Sequence, residues 1–310
     1  FYRHRFRLKR DGPDSAAGFK KTSPSGRYEI KTTPGNTDIR TLQICDNSIG
    51  GYLKDVLTVK FCDCVWDADE KSFVYVSGRD GRIMDGATYV IRRHVLGTDQ
   101  LRDTVLFESD EPMEDLWMMF ESGGYLWFCR NRSSKYNIIS ALELASGQVQ
   151  TILQTEDGLG YVGYYGNSLV FGSFIEQDMG EIVSFDLDSG VFTTLVPARD
   201  AAFDRAVIYG DSIYATYVRD GANELLRYNL ETCGSNLIEL PEQGGVYVDS
   251  MSSGELLFYI DTCVAGATLY GYDPATGKVR VVTPGQKPDF ELDAQLVEYD
   301  AAEGWKSVIW

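Results

Sequence analysis

The sequence is short of histidine, of basic residues and of long apolar runs. His occurs twice, as His4 and His94, which excludes a histidine-rich metal site. Lys and Arg total 29 against 46 Asp and Glu, a net charge of −17. A chain this acidic repels phosphate backbones, so nucleic acid is not expected as a partner. The basic start, FYRHRFRLKR, interleaves Arg with aromatics, but it reads more simply as an edge strand with Arg turned outward. No stretch approaches the roughly 18 apolar residues of a membrane-spanning helix, and no signal peptide is recognisable. The chain starts at Phe1 without an initiator Met and ends on the strand-like VIW, so both ends read as cut from something longer.

Cysteine is present but not patterned for a metal. Cys62 and Cys64 form C-x-C rather than C-x-x-C, and Cys45, Cys129, Cys233 and Cys263 supply no second pair. Most lie in apolar, strand-like runs. They are expected to be buried, reduced thiols suited to a reducing compartment, and the cytoplasm is the expected location.

What the sequence does contain is short apolar runs of four to eight residues, such as KSFVYVS, GYLWFCR, DSIYATYV and ELLFYI. They are rich in Val, Ile, Tyr and Phe and are punctuated by turn residues, which predicts strands. Sustained i, i+3, i+4 patterning is missing, so no long amphipathic helix is expected.

The turns carry a period. LELASG, FDLDSG, YNLETCG and YDPATG end at Gly147, Gly190, Gly234 and Gly277, spaced by 43, 44 and 43 residues. Looser copies end at Gly50 and Gly97. Each unit has the grammar of four antiparallel strands. Four strands per 40–50 residues is the signature of a β-propeller. The expected fold is therefore all-β, one propeller domain over residues 1–310, with seven four-stranded blades and six as the alternative. The seventh would be assembled from FYRHRFRL and DAQLVEYDAAEGWKSVIW, which closes the ring and hides sheet edges. The hydrophilic stretch 9–22 is expected to be a loop.

Three segments carry a resemblance to a known family. They are SPSGRYEIKTTPGNTDIRTLQICD (23–46), LKDVLTVKFCDCVWDADEKSFVYV (53–76) and VIRRHVLGTDQLRDTVLFESDEP (90–112). Together they resemble the propeller of the prolyl oligopeptidase family of serine peptidases, above all in H-x-L-G-T-x-Q at 94–100. From 113 to 290 only the blade grammar agrees, and 293–310 looks like the family's return to its catalytic domain. Two departures stand out: the family's S-P-D-G is SPSG here, and the Trp of its G-S-D-W is Ile39. The resemblance implies a propeller that caps an α/β-hydrolase domain and restricts access to short peptides. Family members cleave after proline or, in the oligopeptidase B branch, after basic residues. The propeller side chains that approach substrate in the family are aromatic or Cys; they fall near Val74 and Leu142 here.

A hydrolase of that kind needs the G-x-S-x-G turn that exposes its serine, and the sequence has none. GNSLV (166–170) and GDSIY (210–214) come nearest, lack the second glycine and read as hairpin turns. His94 lies in the family's structural strand motif and neither His is placed as the base of a triad. DLDSG (186–190) does not complete a calcium loop and reads as a turn. ESDEPMED (108–115) reads as a solvated acidic loop, with a docking patch for a basic partner as the alternative. No catalytic, cofactor-binding or metal-binding residue is therefore expected in this chain, and no cofactor.

The expected function is gating, by sterics and an acidic rim, for a serine peptidase of the prolyl oligopeptidase kind. The expected partners are an α/β-hydrolase domain in cis and short peptides. The alternative is a stand-alone propeller serving as a scaffold for protein partners. A propeller enzyme with its own site at the tunnel mouth would need convergent carboxylates or metal ligands on inner strands.

Overall fold

The structure is a computed structural model. It describes residues 20–33, 39–60, 64–78, 89–109, 115–132, 136–156, 158–252, 254–262, 266–286, 297–300 and 306–309. The chain divides into two compact units, Phe1–Asp157 and Gly158–Trp310.

The first unit holds three four-stranded antiparallel sheets, with strands adjacent in sequence order. Sheet one is β1 (Lys20–Thr22), β2 (Tyr28–Thr33), β3 (Ile39–Asp46) and β4 (Gly51–Lys60). Sheet two is β5 (Cys64–Trp66), β6 (Ser72–Gly78), β7 (Tyr89–Val95) and β8 (Thr104–Glu108). Sheet three is β9 (Asp115–Ser122), β10 (Tyr125–Arg132), β11 (Tyr136–Glu143) and β12 (Val149–Glu156).

The second unit repeats the pattern. Sheet four is β13 (Leu159–Tyr165), β14 (Ser168–Ser173), β15 (Glu181–Asp186) and β16 (Phe192–Val196). Sheet five is β17 (Ala202–Tyr209), β18 (Ser212–Arg219), β19 (Ala222–Asn229) and β20 (Ser235–Ile238). Sheet six is β21 (Gly245–Ser252), β22 (Glu255–Thr262), β23 (Gly266–Asp273) and β24 (Lys278–Thr283). A two-stranded pair, β25 (Val297–Asp300) and β26 (Lys306–Ile309), follows.

Six such sheets are the blades of a β-propeller, as the period of the turns requires. Among the described residues the one helical piece is a 3-10 turn, Gln100–Arg102, and no helix is long and apolar enough to cross a membrane. The C-terminal part of the expected seventh blade forms the β25–β26 pair, and its N-terminal part lies outside the described residues. One expectation is corrected: stretch 9–22 does not end as loop, because Lys20–Thr22 pairs with β2 as the short first strand.

Burial within a blade explains the sequence grammar. In sheet five, β18 is buried on both faces over residues 212–217, so it reads as a nearly continuous apolar run. In sheet six, β22 alternates, with Leu256, Phe258 and Ile260 wholly buried. Outer strands face water: Phe192 of β16, Leu237 of β20 and Val281 of β24 are all exposed. The core of each unit is thus the middle of its blades, filled by side chains such as Phe73, Tyr75 and Phe128 in the first and Tyr217, Phe258 and Leu256 in the second.

The recurrent turns are built on one hydrogen-bonding scheme. Asp186 Oδ1 accepts from the Ser189 N–H (2.8 Å) and hydroxyl (2.7 Å). Asp273 accepts from the Ala275 N–H (2.8 Å) and the Thr276 hydroxyl (2.6 Å). Asn229 Oδ1 accepts from the Thr232 N–H (2.7 Å) and hydroxyl (3.0 Å). Such side chains cap a tight turn from within, which is why the motif is polar and ends in a residue able to take positive φ. No calcium is needed to account for Asp186.

The cysteines are partly as expected. Cys64 and Cys129 are buried, Cys45 is half-buried, and none of these or Cys233 is in a disulfide. Cys233 is a correction, because it is exposed in a turn rather than buried in a strand. Cys62 and Cys263 lie outside the described residues.

Candidate functional site

The three segments that carry the family resemblance meet at one place, the joint between sheets one and two. His94, on β7, is at its centre. Its Nδ1 lies 2.8 Å from Asp103 Oδ1 and its Nε2 lies 3.0 Å from Asp55 Oδ1. All three side chains are buried. Asp55 comes from β4 of sheet one, and Asp103 follows the 3-10 turn of sheet two. The Gly97 N–H also donates to Asp55, and the Tyr75 hydroxyl donates to Asp103 Oδ2 at 2.7 Å. Phe73 packs its ring 5.3 Å from the imidazole. Burial alone pushes the His94 imidazole down, but hydrogen bonds and charge from Asp103 and Asp55 outweigh it and hold His94 above its ordinary value.

The rest of H-x-L-G-T-x-Q serves the same joint. The Thr98 hydroxyl donates to the Val95 carbonyl at 2.7 Å, and Asp99 caps the 3-10 turn by accepting from the Leu101 N–H at 2.8 Å. The Gln100 amide then reaches across to β4. It accepts from the Thr58 N–H (2.9 Å) and donates to the Thr58 carbonyl (3.0 Å), so one side chain extends the edge of sheet one as a strand would. SPSG and the β5–β6 turn close the joint from another side. The Ser25 hydroxyl donates to Glu70 at 2.6 Å, and the Ser25 N–H donates to the same carboxylate. Tyr28 stacks on Trp66 at 5.9 Å.

Both ring nitrogens of His94 face carboxylates, so neither is presented to a substrate or to a serine hydroxyl. Ser212 of GDSIY is buried; it donates to Asp211 at 2.8 Å and accepts from Arg227 Nε at 3.1 Å. A carboxylate and a guanidinium, not an imidazole, engage its hydroxyl. Ser168 of GNSLV is the first residue of β14, in ladder with Tyr165. Val74 and Leu142 are buried core residues of β6 and β11, where they pack the blades. Of ESDEPMED, residues 110–114 lie outside the described residues; Glu108 is exposed and Ser109 buried. His4 also lies outside them. Among the described residues, no three His, Cys, Asp or Glu side chains are grouped to hold a metal.

A second feature escaped the sequence reading altogether. In four blades the first strand carries one extra residue relative to the second, a β-bulge. Register shifts occur between Tyr161 and Gly163, between Phe203 and Arg205, and between Val248 and Ser250. The extra residues are Val162, Asp204 and Asp249, and Met119 takes this place in sheet three. Bulges bend a strand and re-aim its side chains. In the second unit the first strands pack beside one another, and the bulges shape their common wall. Arg205 lies 4.8 Å over the Tyr247 ring, donates to Asp204 at 2.9 Å, and Asp204 also accepts from Thr216 at 3.1 Å. The Tyr209 hydroxyl donates to the Asp249 carbonyl at 3.0 Å. Asp204, Arg205 and Tyr247 are half-buried and Asp249 is exposed, so this part of the wall carries charge.

Comparison with solved structures gives consistent likenesses. One, from a study of two prolyl endopeptidases and of inter-domain dynamics in their catalysis and specificity, matches with a TM-score of 0.83 and 20% identity over 94% of this chain. Another is prolyl oligopeptidase B from Galerina marginata bound to a 35mer hydrolysis and macrocyclization substrate, with a TM-score of 0.80 and 17% identity over 94% of this chain. The apo form of that enzyme matches with a TM-score of 0.78 and 17% identity, again over 94% of this chain. The chain spans only 46%, 45% and 46% of these three chains. No curated protein sequence matches significantly. The model of the prolyl oligopeptidase N-terminal β-propeller domain matches residues 20–284, most of the chain and all six blades, and this chain belongs to that family.

Proposed function

We propose that the chain is the substrate-gating propeller of a prolyl oligopeptidase-like serine peptidase that acts on short peptides. The observation that carries this reading is the family match over 20–284 in a chain spanning less than half of its structural relatives. On this reading the nucleophile, its acid and its base belong to an α/β-hydrolase domain outside these 310 residues, and the propeller contributes no catalytic group. Its task is to exclude large substrates by sterics and to bias small ones by charge. An excess of 46 acidic over 29 basic residues favours cationic peptides over anionic ones at the entrance. Thiols outside disulfides, at Cys45, Cys64, Cys129 and Cys233, support a reducing compartment such as the cytoplasm.

The test is the intact mass of the native protein from its source, with peptidase activity assayed beside it. A mass about twice 34.7 kDa, with turnover of a proline-containing fluorogenic peptide that the pure 310-residue chain lacks, is the expected result. A native mass near 34.7 kDa overturns the gating reading and leaves a stand-alone scaffold. Turnover by the pure chain alone would place catalysis within the propeller and overturn the reading in a different way.

A further inference from the structure

We propose that the His94 ring is held as an imidazolium in the folded chain, making the His94–Asp55–Asp103 cluster a proton-dependent clamp that releases sheet one from sheet two in alkaline solution.

The geometry sets the proton count. A neutral imidazole has one N–H and one bare nitrogen. His94 has a carboxylate oxygen at hydrogen-bond distance from each nitrogen, 2.8 Å to Asp103 and 3.0 Å to Asp55. A bare nitrogen at either position would set a lone pair against a carboxylate. Both carboxylates already act as acceptors on their other contacts, from the Tyr75 hydroxyl and the Gly97 N–H. The ring is therefore the natural donor to both sides. Two buried carboxylates then share one buried cation, and the cluster carries a single net negative charge. Removal of the proton leaves two uncompensated carboxylates in a site without solvent, which is the costly state of a buried ion cluster.

The groups facing the ring define what else could titrate. Asp55 faces it from β4, Asp103 from the segment after the 3-10 turn, and Tyr75 from β6. On β7 itself, Arg93 pairs with Asp67 and Arg92 donates to Ser77. Burial, and then the Asp103 carboxylate, push the Tyr75 phenol up, so it remains a donor while the imidazole titrates. Asp55 is the residue through which His94 holds sheet one, and Gln100 clasps the same strand at Thr58. Loss of the ring proton thus acts first on the hold of sheet two on β4.

A His whose folded value lies above about 6.5 contributes stability that is complete below that pH and is lost as pH rises through the folded value. The His94 contribution to the clamp fades as pH rises above about 6.5 and through the folded value.

The chain has two histidines, so their signals are readily told apart. With 15N-labelled His in the 310-residue chain, and His4→Gln to assign the remaining signal, ring-nitrogen NMR at about pH 6.5, where an ordinary imidazole is half neutral, is expected to show protons on both nitrogens of His94. A bare ring nitrogen at that pH overturns the proposal, because the shared proton would then sit on a carboxylate or be absent. Asp55→Asn removes one carboxylate and is expected to lower the His94 titration midpoint by about 1–3 pH units; an unmoved midpoint also overturns it. Should that variant fail to fold, hydrogen exchange of the unmodified chain decides. After correction for intrinsic rates, protection in β4, β6 and β7 is expected to fall as His94 titrates while protection in β14, β18 and β22 holds. A uniform loss across all six blades overturns the clamp.

Discussion

Cys233 stands in its turn where Gly190 stands in the turn of the preceding blade, and it adopts the same left-handed backbone, with φ of 55° against 67°. Counted from the capping residue, Asp186, Asn229 and Asp273 are followed four positions on by Gly190, Cys233 and Gly277. Gly234, one residue later, does not have positive φ. The recurring geometry of the turn therefore falls on 147, 190, 233 and 277, with spacings of 43, 43 and 44. A side chain in this conformation costs about 1–2 kcal/mol, and glycine's extra freedom in the unfolded chain returns about 0.5–1 kcal/mol of that. Cys233→Gly is expected to raise stability by about 0.5–1 kcal/mol. Urea unfolding of the two proteins measures it, and an unchanged or lower midpoint would refute the assignment of strain.

Phe203 occupies the space that a β-carbon at Gly172 would need. An added Cβ there would lie 2.2 Å from the Phe203 ring, far inside contact distance. The ring has no easy retreat, since it is buried against Phe174 and Tyr217. Gly172→Ala is expected to destabilise the chain by about 1–3 kcal/mol, as overpacking of a filled core does. In the double variant Gly172→Ala with Phe203→Leu, the two costs are expected to be less than additive. Additive costs would mean that the methyl group and the ring do not compete for the same volume.

Acid sensitivity of the turns follows from their capping residues. Hydrogen bonds from the Ser189 N–H and hydroxyl hold the Asp186 carboxyl below its ordinary range, and Thr276 and Ala275 do the same for Asp273. A lowered carboxylate contributes stability that is present above the unfolded value, about 3.9, and is lost as pH falls through the folded value. Asn229 makes the same contacts without a charge. Asp186→Asn is therefore expected to leave the unfolding midpoint at pH 7 nearly unchanged and to reduce its drop below about pH 4, whereas Asp186→Ala lowers it at both. Thermal unfolding as a function of pH separates these outcomes.

The repeat was legible in the sequence because it is written in local chemistry. Strand runs and capped turns each follow from neighbouring residues, so blades could be counted from Gly147, Gly190 and Gly277. Cys233 misled because an adjacent glycine offered a better match than the residue that takes the turn. His94 could be read as structural from its motif, yet its partners could not. Asp55 lies 39 residues away and Asp103 nine, and among 46 acidic residues nothing local marks either. The bulges at Val162, Asp204 and Asp249 are differences of register between strands, a property no single strand displays.

At the Asp249 bulge the extra residue interrupts the regular ladder between β21 and β22, and the Tyr209 hydroxyl of the neighbouring blade donates to its carbonyl at 3.0 Å. A hydroxyl that satisfies a backbone group in this way contributes about 0.5–1.5 kcal/mol. Tyr209→Phe keeps the ring and removes the hydrogen bond, so a loss of that size is expected on urea unfolding. The same variant tests whether the hydroxyl fixes the shape of the wall. If the joint between β17 and β21 fixes the wall, hydrogen exchange in β21 is expected to rise in Tyr209→Phe while exchange in the first unit is unchanged. A loss of stability without that local change would show that the hydroxyl contributes to the fold as a whole and not to the shape of the wall.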